Sequence, residues 1–130
     1  ILKNKRGQAL VELALALPLI IMLVMGTIEF GRLFHSYLLI TNASREGARI
    51  AITGADDPTI IARVNDVTSS LKNTKDIDIA PADPSVRFSG VPVTVTVDYE
   101  HNIITPLLNS ILPNPVKLTS STSMRMEGRN

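Results

Sequence analysis

From Ala9 to Ile28 the chain runs for 20 residues with a single charged side chain, Glu12. As a helix, at about 1.5 Å per residue, this stretch is about 30 Å long, the thickness of a bilayer core. A chain of 130 residues suggests one domain, or one small domain plus an appendage, and so small a domain could hardly enclose a segment apolar on every side. A cleaved secretory signal fits less well. Its apolar region is about 7–15 residues and ends at a small-residue cut site, whereas here the helical pattern continues past Gly26 with no A-x-A. The stretch therefore reads as a membrane-inserted helix. Lys3, Lys5 and Arg6 precede it, so the N-terminus is expected in the cytoplasm and everything after Ile28 outside.

The helical pattern outlasts the apolar stretch, because no proline stands between Pro18 and Pro58. Phe30, Leu33, Phe34, Tyr37, Leu38 and Thr41 read as one stripe, which Ala43, Gly47 and Ala51 are expected to continue with small residues. Small side chains allow close approach, so the folded domain is expected on the Ala43–Gly47–Ala51 side. With Gly54 as the stop, the helix runs from about residue 8 to 53, about 69 Å. Glu29 and Arg32 can pair at i, i+3. These two, with Arg45, Glu46 and Arg49, read most simply as helix-surface charges.

The remainder reads as a small α+β domain. Asp57 is the expected N-cap of a second helix over about 58–72, with Pro58 at its first position and Ile60, Ile61, Val64, Val67 and Leu71 on its apolar face. "DIDIA" is a short strand, with Ile77 and Ile79 on one side. "PADPS" is a turn, after which Val86 and Phe88 alternate with Arg87. "VPVTVTVDYE" alternates most clearly, with Val91, Val93, Val95, Val97 and Tyr99 facing one way. Thr105 is a possible cap for a short helix beginning at Pro106. Val116, Leu118, Ser120, Thr122, Met124 and Met126 mark a last strand beside the valine strand. Half-apolar strands belong to an antiparallel sheet with one wet face, whose dry face is expected on the far half of the long helix. The expected fold class is therefore α+β: a long N-terminal helix, a second helix and a small antiparallel sheet. Residues 1–7 are expected to form a basic leader or N-terminal arm, 8–28 the membrane and filament-core helix, and 29–130 the extracytoplasmic domain.

Little points to chemistry. With no cysteine, disulfides and thiolate sites are excluded. Residues 1–54 hold six basic residues against three acids, and the rest seven against nine. Few aromatics and no basic stripe argue against a nucleic-acid partner. His35 and His101 have no second histidine or metal-spaced carboxylates. Asp76/Asp78 and Asp98/Glu100 are same-face pairs too few for a calcium cage. "NAS" at 42–44 matches a glycosylation triplet but falls in mid-helix. No catalytic or phosphate-binding motif is present, so neither an enzyme nor a metal or other cofactor is expected.

The order "RGQALVELALALPLIIMLVMGTIEFGR", then "NASREGARIA", a valine strand and a closing "SSTSMRME" resembles the TadE-like pilins and pseudopilins of tight-adherence (Tad) type IV-like pili. The resemblance implies a pilus subunit that supports surface adhesion. It is held first in the inner membrane with its N-terminus cytoplasmic, and later in an extracellular filament. Its partners would be membrane lipid, a prepilin peptidase, the inner-membrane assembly machinery, and copies of itself or related pilins. By the same resemblance, Gly7 precedes the peptidase cut, Gln8 becomes the new N-terminus, and Glu12 pairs with a neighbouring subunit's terminal amine. If the leader stays attached, Lys3, Lys5 or Arg6 of a neighbour could replace that amine. Pro18 stands where pilins locally melt their helix during assembly. Leu13 departs from the small major pilins, which usually have an aromatic there. The competing reading is a membrane-anchored binding module that never polymerises.

Overall fold

The computed structural model describes residues 5–73 and 75–127. Residues 1–4 of the expected leader, Lys3 among them, lie outside the described residues.

The long helix, α1, spans Lys5–Ala51. It begins earlier than expected, since nothing in Lys5-Arg6-Gly7 breaks a helix strongly enough to end one so apolar. It ends as Gly54 takes φ +90°, with its N–H donating to the Ala51 carbonyl at 3.0 Å. That left-handed conformation favours glycine and closes the last turn.

The second helix, α2, spans Asp57–Val67, shorter than expected. Asp56, not Asp57, is its N-cap, accepting the Thr59 N–H at 3.3 Å. This leaves Asp57 inside the first turn, free to bind Arg87. Past Val67 the chain turns, and Lys75 Nζ donates to the carbonyls of Thr68 at 2.8 Å and Leu71 at 3.4 Å. A lysine thereby supplies donors to carbonyls that a longer helix would have bonded itself. Ile60 and Val64 are buried and Val67 and Leu71 half-buried, whereas Ile61 is exposed.

Three strands, β1 (Lys75–Ala80), β2 (Pro92–His101) and β3 (Val116–Arg125), form an antiparallel sheet in the order β1-β2-β3. The register sets Ile77 opposite Val97 and Ile79 opposite Val95, then Val93 opposite Met124 and Val97 opposite Ser120. These residues fall on one face, since alternate side chains of a strand share a side. That face packs against α1 and α2, giving the expected α+β arrangement with a core of Ile40, Ala43, Ala48, Ala51, Ile60, Val64 and the β2 valines.

Two expectations fail in instructive ways. Phe30, Phe34, Tyr37 and Leu38 are exposed, and the face of α1 turned to the sheet carries Glu29, Ser36, Ile40, Ala43, Ser44, Gly47 and Ala51. From Thr41 to Ala43 is a rotation of about 200°, so the small residues do not continue the aromatic stripe. Between β1 and β2, Val86 and Phe88 are exposed and Arg87 is buried. Asp83 accepts the Ser85 N–H at 2.9 Å and starts a short 3₁₀ turn, Pro84–Val86, which breaks the alternation. The Arg87 guanidinium bonds the Asp57 carboxylate and the Pro81 carbonyl. A buried arginine is tolerated because its donors are met by a carboxylate and carbonyls.

Candidate assembly interface

Two surfaces meet at the point where α1 enters the domain: a bare apolar rod and a polar clamp. In the rod no residue of the apolar window is buried, and Leu10 is 66% exposed. Gly7 and Gln8 lie on the first turns, and a Cβ at Gly7 would meet nothing within 4 Å. The Gln8 side-chain amide donates to the Glu12 carboxylate at 3.3 Å, with both side chains exposed. Among the described residues Glu12 has no ion pair. The helix continues through Pro18, which offers no N–H to the Ala14 carbonyl. Glu12 lies 18 positions before Phe30, about five whole turns, so the two share a helix face. The exposed Phe30 and Phe34 rings stack with centroids 6.5 Å apart. The unpaired acid and the aromatic pair thus lie on one side of α1, about 27 Å apart along its axis.

The clamp is built on Glu29, which is 4% exposed and is the first buried residue of α1. His101, at the end of β2, approaches one of its carboxylate oxygens through Nε2 at 3.2 Å. The Ser36 hydroxyl lies 3.2 Å from the other ring nitrogen, Nδ1. A neutral ring with its proton on Nε2 satisfies both contacts, donating to Glu29 and accepting from Ser36. The other Glu29 oxygen accepts the Thr105 hydroxyl at 3.1 Å and the Ile104 N–H at 3.3 Å. Arg32 completes the set at 3.0 Å. Burial works against the charge on Glu29, but the bonds from His101, Thr105 and Ile104 and the Arg32 charge outweigh it and hold the carboxyl below its ordinary pKa.

The clamp corrects two sequence readings. Glu29 is not a surface charge, and Thr105 binds Glu29 instead of capping a helix; the turn that follows is a 3₁₀ segment, Leu108–Ser110. The partners lie 72–76 residues from Glu29, beyond any local pattern. One signal was present: Glu29 shares a helix face with Ser36 and Ala43, at intervals of seven.

Farther along α1, Ala43, Gly47 and Ala51 are all buried. A Cβ at Gly47 would lie 2.8 Å from Val64 Cγ2 and 3.1 Å from Val95 Cγ1, so α1 meets α2 and β2 there with no room for a side chain. Beside it, Ser44 Oγ contacts Thr122 Oγ1 at 2.8 Å and Ser120 Oγ at 3.3 Å. These small hydroxyls let the helix lie close against β3 while pairing one another's polar atoms. On the solvent side Glu46 accepts from Arg49 and Arg63, and these bonds, Arg49 first, draw its pKa down to about 2.

Among the described residues no group of three or more histidines and carboxylates is placed to hold a metal ion. Asp76 and Asp98 face each other across β1 and β2, and Thr119 donates to Asp98.

No curated protein and no solved structure matches the chain. The family model described as TadE-like protein matches residues 7–49, a segment holding Gly7, Gln8, Glu12, Pro18, Glu29 and Gly47. The resemblance read from the sequence thus holds over that segment: residues 7–49 are similar to the TadE-like family, which is associated with Tad pili.

Proposed function

We propose that this chain is a structural subunit, a pilin or minor pilin, of an extracellular Tad-type pilus that supports surface adhesion. The inner membrane holds the precursor by its apolar helix, with the N-terminus cytoplasmic and residues 29–130 outside. The assembly machinery then moves it into a filament where α1 helices bundle and the α+β domains face outward. The observation that carries this reading is the bare rod: no residue of the apolar window of α1 is buried by its own domain. Such a surface needs lipid or similar helices around it.

In this reading prepilin peptidase cuts between Gly7 and Gln8. Glu12, exposed and without an ion pair among the described residues, then meets the amine of a neighbouring copy. In a low-dielectric helix bundle the pair is weakly screened, and it would fix register more than add stability. Pro18 leaves the Ala14 carbonyl open and gives a place where the helix can locally unwind. The role is structural, with no catalytic step assigned to the chain.

Glu12→Ala tests the proposal. The variant is expected to insert in the membrane normally but to be missing from sheared surface filaments. Recovery of the wild-type chain only in membranes, never in filaments, would refute assembly and favour an anchored binding module. Intact mass of the filament subunit reads the Gly7–Gln8 cut directly.

A further inference from the structure

The β2–β3 connection is uncharged and rich in aliphatic residues but lies in the outer domain. From Asn102 to Val116 it contains no charged residue. Leu107 is 55% exposed and Ile111 68%, and Ile104 and Leu112 are also exposed. Isolated exposed leucines are ordinary, but a contiguous apolar patch points to an interaction surface.

Its position says what covers it. The bonds from Ile104 N–H and Thr105 to Glu29 fix the segment at the outer end of the rod. Leu108 and Leu112 then share a cavity with Gly26, Phe30 and Leu33. Pro106 and Leu107 form one wall of a groove whose other wall is the helix face of Ala14, Leu17, Pro18, Ile21, Met22 and Met25. Those helix residues belong to the stretch that the bilayer must cover. A bilayer that reaches them also reaches Pro106 and Leu107.

Two further features fit immersion in lipid. Irregular backbone in hydrocarbon must satisfy its own polar groups. Here the requirement is met in part: the N–H groups of Asn109, Ser110, Ile111 and Leu112 donate to carbonyls of Thr105, Leu107 and Leu108, while those of Leu107 and Leu108 make no such bond. Pro106 and Pro113 carry no N–H, and Asn114 Nδ2 donates to Asn109 Oδ1 at 3.0 Å. Charge is also placed suitably. Arg32, His35 and Lys72 line a cleft with Ile104 just outside the apolar segment. With the hydrocarbon boundary at Ile28, Arg32 lies about 6 Å farther out, at the level of the phosphates.

We propose that residues 104–112 are a second membrane-inserting element, a wedge in the outer leaflet beside α1, with phospholipid as its partner. It rests on the membrane-anchored reading of α1 and adds that the domain is seated against the bilayer at a fixed height, not tethered above it.

The chain has no cysteine, so single labels are clean. Leu19→Cys, Leu107→Cys, Ile111→Cys and Asn65→Cys, each in the full-length chain, would be reconstituted in phospholipid vesicles and labelled with a small fluorophore. Nitroxides on the lipid acyl chains serve as quenchers. Labels at 107 and 111 are expected to be quenched like that at 19, while 65 is spared. Before labelling, the 107 and 111 thiols should react with a membrane-impermeant maleimide on the order of tenfold more slowly than 65, because a charged reagent is excluded from hydrocarbon. Quenching at 19 with none at 107 and 111 overturns the wedge alone. Quenching at none of the three overturns the membrane anchor as well. Protection at 107 that grows with the protein-to-lipid ratio, without lipid quenching, would show a sister chain in place of lipid and would also overturn the proposal.

Discussion

At the scale of single residues, the most consequential side chain is Glu29, because one carboxylate meets donors from three parts of the chain. Glu29→Ala would leave His101, Thr105 and the Ile104 N–H without their acceptor. The expected loss is about 3 kcal/mol of domain stability, as for leaving buried donors without a charged acceptor, read from denaturant unfolding in detergent. Glu29→Gln keeps acceptor capacity and should lose less. Gly47 makes the opposite demand, for the absence of a side chain. Gly47→Val would push a branched group into Val64 and Val95 and should cost about 2–3 kcal/mol through overpacking. Glu46 gives a pH signature. Its folded pKa lies near 2, below the ordinary 4.5. Its contribution is therefore complete above about pH 4.5 and lost as pH falls through about 2. Glu46→Gln should flatten the acid limb of the stability profile in that window. The effect should also shrink in high salt, since Arg49 and Arg63 are exposed.

At the scale of elements, legibility followed the range of the interactions. The alternation of β2 and β3 and the apolar run of α1 are local periodicities, and the sequence reading placed these elements to within a few residues. The large and small apolar residues of α1 do not form one stripe, because the two-residue step between them turns about 200° around the helix. Composition does not separate Asp56 from Asp57, because adjacent acids before a proline are equally good caps. The distinction came from Arg87, 30 residues away from Asp57. Likewise the clamp was invisible because His101 and Thr105 gain meaning only once β2 has paired and docked. Pro18 belongs to this scale too. Pro18→Ala restores a donor to the Ala14 carbonyl and should strengthen the helix locally by about 3 kcal/mol. Hydrogen exchange in bicelles should slow around residues 14–22, with unfolding of the α+β domain unchanged.

At the scale of the whole molecule, the protein divides its hydrophobic surface between two uses. The β2 valines, Ile40, Ile60 and Val64 are spent within the domain, while the rod and the Phe30–Phe34 pair are left for other molecules. The division predicts a particular solution behaviour. The chain should need detergent or lipid to stay dispersed, and a version starting at Glu29 should be far more soluble and keep its fold, since nothing before that residue is buried. Circular dichroism and light scattering of the shortened chain would check both.

The clamp also has a mechanical meaning. Glu29 is where a pull on the N-terminal end of the helix first reaches the rest of the protein. Its bonds to strand, loop and helix would carry that load side by side, so none has to bear it alone. Tension that draws the rod out of lipid would then haul the domain as one rigid cargo instead of peeling the helix from the sheet.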